Sequence, residues 1–362
     1  MDIKNKIDKL KNYISSFQTE DILGFISMLL MPSGSNGKEV ADCADVFNKT
    51  SLMAPMKQYL YLAGLLVSNQ YNYSNPKQLN NKEKKIIEKM LDEVTSEYSF
   101  NFLKDSISKL GINSFSINEN FVSAFEYFDM YFNTGSLSYP EQTIDKIELL
   151  FRNFNEKICE IYGIGLDDFL SFYSFILDKQ KESLEKMQSE MGKVMDLFEK
   201  KNESSSEQEV YEFLKKSNID KDILADSISN VCCVNVNEIK TKFGIEKAKI
   251  LCENFCIKRD KKNFTYYTDN NPFVQKPLVY VDDTRIFITF APLLLDSIYW
   301  LLFDKFKDNP KFIKARGDSV EKKTIELFNR ILPGCNIFQN VCEIPGSYEH
   351  DLLIEYKEYY FI

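Results

Sequence analysis

Apolar residues in the first two hundred positions recur at intervals of three and four. Ile3, Ile7, Leu10, Ile14 and Phe17 set the pattern at the start, and this is the period of an amphipathic helix. The same spacing predicts helices over 20–31, 55–67, 81–94, 97–110, 119–132 and 141–162. The stretch 166–201 reads as one long helix or two, with Leu184, Met187, Met191, Val194, Met195 and Phe198 on a single face. Such a face packs in a core or against a second copy, so a homo-oligomer through this half is one expected use. The run 202–208 is polar and short-chained with no apolar anchor, which predicts a linker.

Beyond the linker, helices are predicted at 209–217, at 219–229 and at 237–256, the last broken at Gly244. From 276 to 290 the period changes to the alternation of β-branched and aromatic residues, around the turn pair Asp282-Asp283, and predicts a hairpin. Residues 291–307 return to helix. A helix over 318–332, stopped by Pro333-Gly334, is followed by strands at 336–344, at 348–356 and from 359, with turns at 345–347 and 357–358. Strands are therefore expected only after about position 256. The predicted fold is α+β, mainly α: a helical array over 1–201, the linker 202–208, a mixed helix and hairpin segment over 209–310, and a helix with an antiparallel meander over 311–362.

Composition supports a globular chain. Of 362 residues, 44% are hydrophobic and 14% aromatic, which excludes general disorder and suits large buried clusters. The longest apolar run, 286–303, is interrupted by Thr289, Pro292 and Asp296, so no membrane span is expected. The N-terminus alternates charged and apolar residues and carries no secretory pattern, so a cytoplasmic location is expected. A formal charge of -9 opposes nucleic acid at long range, so any such contact must come from local patches. Two exist: the basic run 257–262, and the crowd of Lys305, Lys307, Lys311, Lys314, Arg316, Lys322 and Lys323.

Several motifs invite chemistry and decline it. Residues 32–39 suggest a phosphate-binding loop, but Pro32 stands where the first glycine belongs and Glu39 where a hydroxyl belongs. The cysteines lack a C-x-x-C pair and have one histidine, His350, beside them; Cys232-Cys233 with Cys252 and Cys256 read as buried thiols before a zinc site. Residues 237–255 could form a helix-turn-helix with 256–267 as a wing.

The informative stretch is 316–362. Gly317 is expected to precede a helix with Glu321 on its first turn, and Asp351 lies on the second strand of the meander. In order and spacing this resembles the restriction-endonuclease-like, or PD-(D/E)xK, superfamily. There a glycine and a helix glutamate open the core, an aspartate follows on the second strand, and the third strand brings an acid, a spacer and a lysine. The resemblance implies a metal-dependent DNA endonuclease with Mg2+ as cofactor, Glu321 and Asp351 as catalytic and metal-binding residues, and DNA as partner. It also implies a prokaryotic defence effector whose helical half senses or assembles. Lys311, Lys314, Arg316, Lys322 and Lys323 are the expected nucleic-acid contacts.

The third-strand motif is not found within the chain. Glu355-Tyr356-Lys357 spells it, but Asp351 and Glu355 are four apart on one strand, roughly 13 Å between α-carbons. Residues opposite each other on neighbouring antiparallel strands are only about 5 Å apart and share a face. A two-residue turn at Lys357-Glu358 pairs Tyr356 with Tyr359 and puts the partner of Asp351 two positions after Ile362. The chain is thus expected to be catalytically incomplete, with Glu321 and Asp351 converging on one side. The other class is a non-catalytic helical scaffold whose tail binds protein or nucleic acid.

Overall fold

In the computed structural model the described residues are 3–30, 52, 54–72, 74, 77, 79–110, 139–199, 232–342 and 349–361. The predicted helices at 119–132, 209–217 and 219–229, the run 32–39, the linker 202–208 and the turn 345–347 lie outside them, as do most side chains of the methionine stripe after 186.

The chain is α+β and mainly α. Helices α1 (Ile3–Ile14), α2 (Thr19–Leu30), α3 (Pro55–Val67) and α4 (Asn81–Leu110) form a first group; α5 (Pro140–Phe151), α6 (Asn155–Tyr162) and α7 (Leu166–Glu199) form a second. Where two helices were predicted over 81–110 there is one. Where one was predicted over 141–162, a 3-10 turn at Arg152–Phe154 separates α5 from α6 and lets Phe151 and Phe154 both reach the core. Strand β1 (Cys233–Asn235) is followed by α8 (Val236–Phe243), α9 (Ile245–Phe255), β2 (Cys256–Lys258), α10 (Pro272–Gln275), β3 (Leu278–Tyr280), β4 (Arg285–Ile288), α11 (Pro292–Phe306) and α12 (Pro310–Ile331). The meander β5 (Asn336–Cys342), β6 (Glu349–Tyr356) and β7 (Tyr359–Phe361) closes the chain.

The predicted hairpin is β3 and β4, paired antiparallel with Val279 opposite Phe287. Its turn is tied by Asp282, whose carboxylate accepts from the backbone and hydroxyl of Thr284 and from the Arg285 backbone and guanidinium. Those donors hold it well below the usual carboxylate range.

The expectation that strands begin only after about 256 is corrected by β1, which pairs antiparallel with β4. Three residues are too few to show alternation, and what makes them a strand is a partner some fifty positions away. The resulting sheet has the order β1-β4-β3-β2, with β2 parallel to β3.

That sheet is the wall between two cores. Ile257, Val279 and Phe287 point to the side packed by α1 to α4. Val234, Cys256, Leu278, Ile286 and Ile288 point to the side packed by α5 to α9 and α11. Alternation along each strand therefore feeds both cores, as in a sheet covered on both faces. Residues 232–306, expected as part of a separate mixed segment, are the shared middle layer of the helical body. Near α3, the Gly64 position leaves no room for a β-carbon beside Asn271 and Phe264, and Asn271 Nδ2 donates to the Leu60 carbonyl at 2.9 Å.

The two cysteine pairs lie on different sides of this wall. Cys232 is buried in the first helical group's core, while Cys252 and Cys256 belong to the other. Burial pushes the Cys232 thiol up to about 11 and the Cys233 thiol up to about 12.

Candidate functional site

Helix α12 begins earlier than its charge pattern suggests. Asn309 caps it, its side chain accepting from the backbone of Lys311 and Phe312, and Pro310 fills the first helical position. Gly317 is therefore inside the helix rather than before it, and Glu321, expected on the first turn, is the twelfth helical residue. The macrodipole's effect is confined to the terminal turns, so it does not explain a glutamate there.

The two halves of α12 face different partners. Phe312 is buried in the body, stacked on Phe151 with ring centroids 5.2 Å apart. Farther along, Glu321, Thr324, Ile325 and Phe328 are half-buried at spacings of three and four, one stripe of the second half. Phe328 meets Phe361 of β7 at 6.3 Å.

Of the expected nucleic-acid residues, Lys311, Lys314, Arg316, Lys322 and Lys323 are all exposed. They do not make one track. At about 100° per residue, Lys311, Lys314 and Lys322 share one side of the helix, while Arg316 and Lys323, seven apart, share another. Arg316 lies over the Phe303 ring at 5.7 Å, and Lys323 pairs with Glu326 at 3.2 Å.

The other basic run, 257–262, is absorbed by the fold. Lys258 pairs with Asp283 at 2.7 Å. Lys262 Nζ donates to the carbonyls of Val67 and Lys258, and Arg259 donates to carbonyls of the first helical group. Nor does 256–267 form a wing, because β2 is an edge strand of the sheet. On α9 the inner face is buried through Ala248, Leu251, Cys252 and Phe255, and Lys247 of the outer face is bonded to Asp168 at 2.6 Å.

The meander carries Asp351. Strand β6 is central, with β5 and β7 antiparallel on either side. The β6–β7 ladder pairs Ile354 with Phe361, Glu355 with Tyr360 and Tyr356 with Tyr359, which is the predicted register. Stepping back along it, the residue facing Asp351 falls two places after Ile362. Asp351 itself is exposed.

Alternation along β6 groups Asp351 with Leu353 and Glu355 and puts Leu352 and Ile354 on the other face. Ile354 faces Phe361, which touches Phe328, so α12 covers the Ile354 face. Glu321 shares the Phe328 stripe and is thus above the covered face, while Asp351 points to the open one. The two acids are not brought together by regular pleating. Among the described residues no group of three or more His, Cys, Asp or Glu side chains is placed to hold a metal ion.

One irregularity sits beside Asp351. In the β5–β6 register Asn340 is the residue opposite it, and that pair is missing from a ladder that continues on both sides. Asn340 has φ +53°, in the left-handed region. Asparagine is one of the few residues that enters this region readily, which is the only trace of the feature in the sequence.

The Glu355-x-Lys357 string is structural. Glu355 accepts from Asn336 Nδ2 at 3.0 Å and from the Tyr360 hydroxyl at 3.2 Å. Lys357 sits in the turn with its ammonium over the Tyr356 ring. No family model matches the chain, and neither does a curated protein or a solved structure.

Proposed function

We propose that α12 and the meander belong to a metal-dependent nuclease core, carried on the helical body, with Asp351 as a strand ligand of a magnesium ion and DNA as the substrate. The observation that carries this reading is the hairpin register. It leaves the ladder position beside Asp351 to a residue two places after Ile362, where an acid would lie directly across from Asp351 on the same face. The left-handed Asn340 supports it, since backbone held in sparsely populated regions clusters at functional sites.

A hard cation takes about six oxygen ligands, carboxylates foremost. Among the described side chains of the meander, Asp351 is the exposed strand carboxylate on this face beyond the occupied Glu355, and a residue facing it would supply a second. Bound there, magnesium would neutralise charge developing on phosphate and lower the pKa of an attacking water. Asp351 would hold the ion on the open face. Glu321 would join the site only if the strand turns at Asn340 and brings Asp351 out of regular alternation.

The test compares the 362-residue chain with one continued along its reading frame far enough to add a strand. In magnesium the continued chain should nick plasmid DNA and the shorter one should not. Calorimetry should find magnesium binding in the continued chain alone, abolished by Asp351→Asn. A continued chain whose added strand carries no acid opposite Asp351, or whose nicking survives Asp351→Asn, would sink the reading. Glu321→Gln, run alongside, reports whether the helix acid takes part.

A further inference from the structure

The chain has one tryptophan, Trp300, and it stands 54% exposed on α11, an unusual place for so large an apolar ring. It is held edge-on by two neighbours, with centroids 5.2 Å from Tyr299 and 5.6 Å from Phe303 and interplanar angles of 79° and 87°. Tyr299 and Phe303 are themselves nearly parallel, 5.7 Å apart. The three rings make a rigid group whose support comes from the core, since Phe303 and Tyr299 pack on Phe312 and Phe151.

Cations flank the group on both sides. Lys146 of α5 lies 3.8 Å from the centre of the Tyr299 ring, and Arg316 of α12 lies 5.7 Å from that of Phe303. Lys307, seven residues after Trp300 and so on its side of α11, is exposed. Two acids are close. Asp304 pairs with Lys307 at 3.1 Å, and Asp296, partly buried on α11, lies within the field of Lys146. Arg316 and Lys146 each lie over a ring of the aromatic group.

We infer that this surface binds single-stranded nucleic acid, with a base stacked on Trp300 and the flanking phosphates held by Arg316 and Lys146. The complementarity is specific in kind. An exposed ring beside two rings that each carry a cation matches a polymer that presents flat bases between phosphates, whereas a duplex keeps its bases stacked inside. The site goes beyond the proposed nuclease reading and does not rest on it, because it uses no residue of the meander and needs no metal.

Trp300 is its own reporter. Titrating the full chain with oligothymidylate at low salt, with EDTA present to separate binding from any metal-dependent event, should quench its fluorescence to saturation. Anisotropy of a labelled oligomer should show Trp300→Ala weakening binding by about five-fold or more, in line with loss of one base stack. Arg316→Ala should weaken it and make its salt dependence shallower by about one phosphate contact, while Arg316→Lys recovers part. All three variants should keep the parent's circular dichroism, so that a change in binding is read on folded protein. Heparin or duplex DNA quenching as strongly as the oligomer would overturn the inference, as would an oligomer that binds Trp300→Ala as tightly as the parent or fails to quench at all.

Discussion

Arg259 shows how a single charged side chain can be spent on the fold. Its Nε donates to the Asn69 carbonyl at 2.9 Å, one Nη to Phe17 at 2.8 Å and the other to Ile14 at 3.1 Å. The guanidinium thus gathers the end of α1, the α1–α2 link and the segment after α3 onto the strand that follows α9. Truncation would leave those part-buried carbonyls without their charged donor, so Arg259→Ala should cost about 3 kcal/mol. Arg259→Lys should recover little, because one compact ammonium cannot span three acceptors set for a planar fork. Urea denaturation checks both, as a lower midpoint at unchanged slope; a variant within about 0.5 kcal/mol of the parent would refute the role. The charge of the run 257–262 is plain in the sequence, but its use is not, since the carbonyls it serves lie about 190 to 245 positions earlier. Asp351 is the converse case. Its ladder was legible because a two-residue turn fixes a register locally, whereas the left-handed Asn340 opposite it depends on how β5 is laid down.

Elements were legible where their signals were local. The β3–β4 hairpin, the break at Gly244 with φ +82° and the β6–β7 turn all follow from a few adjacent residues. Strand β1 was not, because its pairing with β4 is non-local. The true start of α12 carries a local signal, an asparagine followed by proline at Asn309-Pro310, which outweighs the later glycine at Gly317. The β6–β7 turn also carries strain that can be measured. Lys357 has φ +57°, a region that costs a residue with a β-carbon about 1 kcal/mol and glycine almost nothing. Lys357→Gly should therefore tighten the hairpin, less the extra freedom glycine gains when unfolded. The expected result is a several-fold slower hydrogen exchange at the Ile354 and Tyr356 amides, up to about five-fold for 1 kcal/mol. Unchanged or faster exchange would show that the turn is not what limits the hairpin.

At the scale of the molecule, the decisive feature is that one small sheet serves two cores. Val279 and Phe287 are fully buried on one side, Ile286 and Ile288 on the other, so neither helical group can lose its packing without uncovering strands the other needs. The meander is differently placed. Of its described side chains Ile354 is buried, while Phe338, Tyr359, Tyr360 and Phe361 are exposed, and its hold on α12 runs through the Phe328–Phe361 contact. Low buried apolar area and exposed ladder bonds are the marks of a unit that opens below the global free energy. Native-state hydrogen exchange should therefore separate two levels. Amides of β3 and β4 should exchange at the global limit together with buried amides of both helical groups, and those of β5 to β7 should exchange earlier and independently. If the helical groups instead exchange at two distinct levels, the sheet does not couple them, and if the meander exchanges with the body, its exposed side chains do not make it a separate unit.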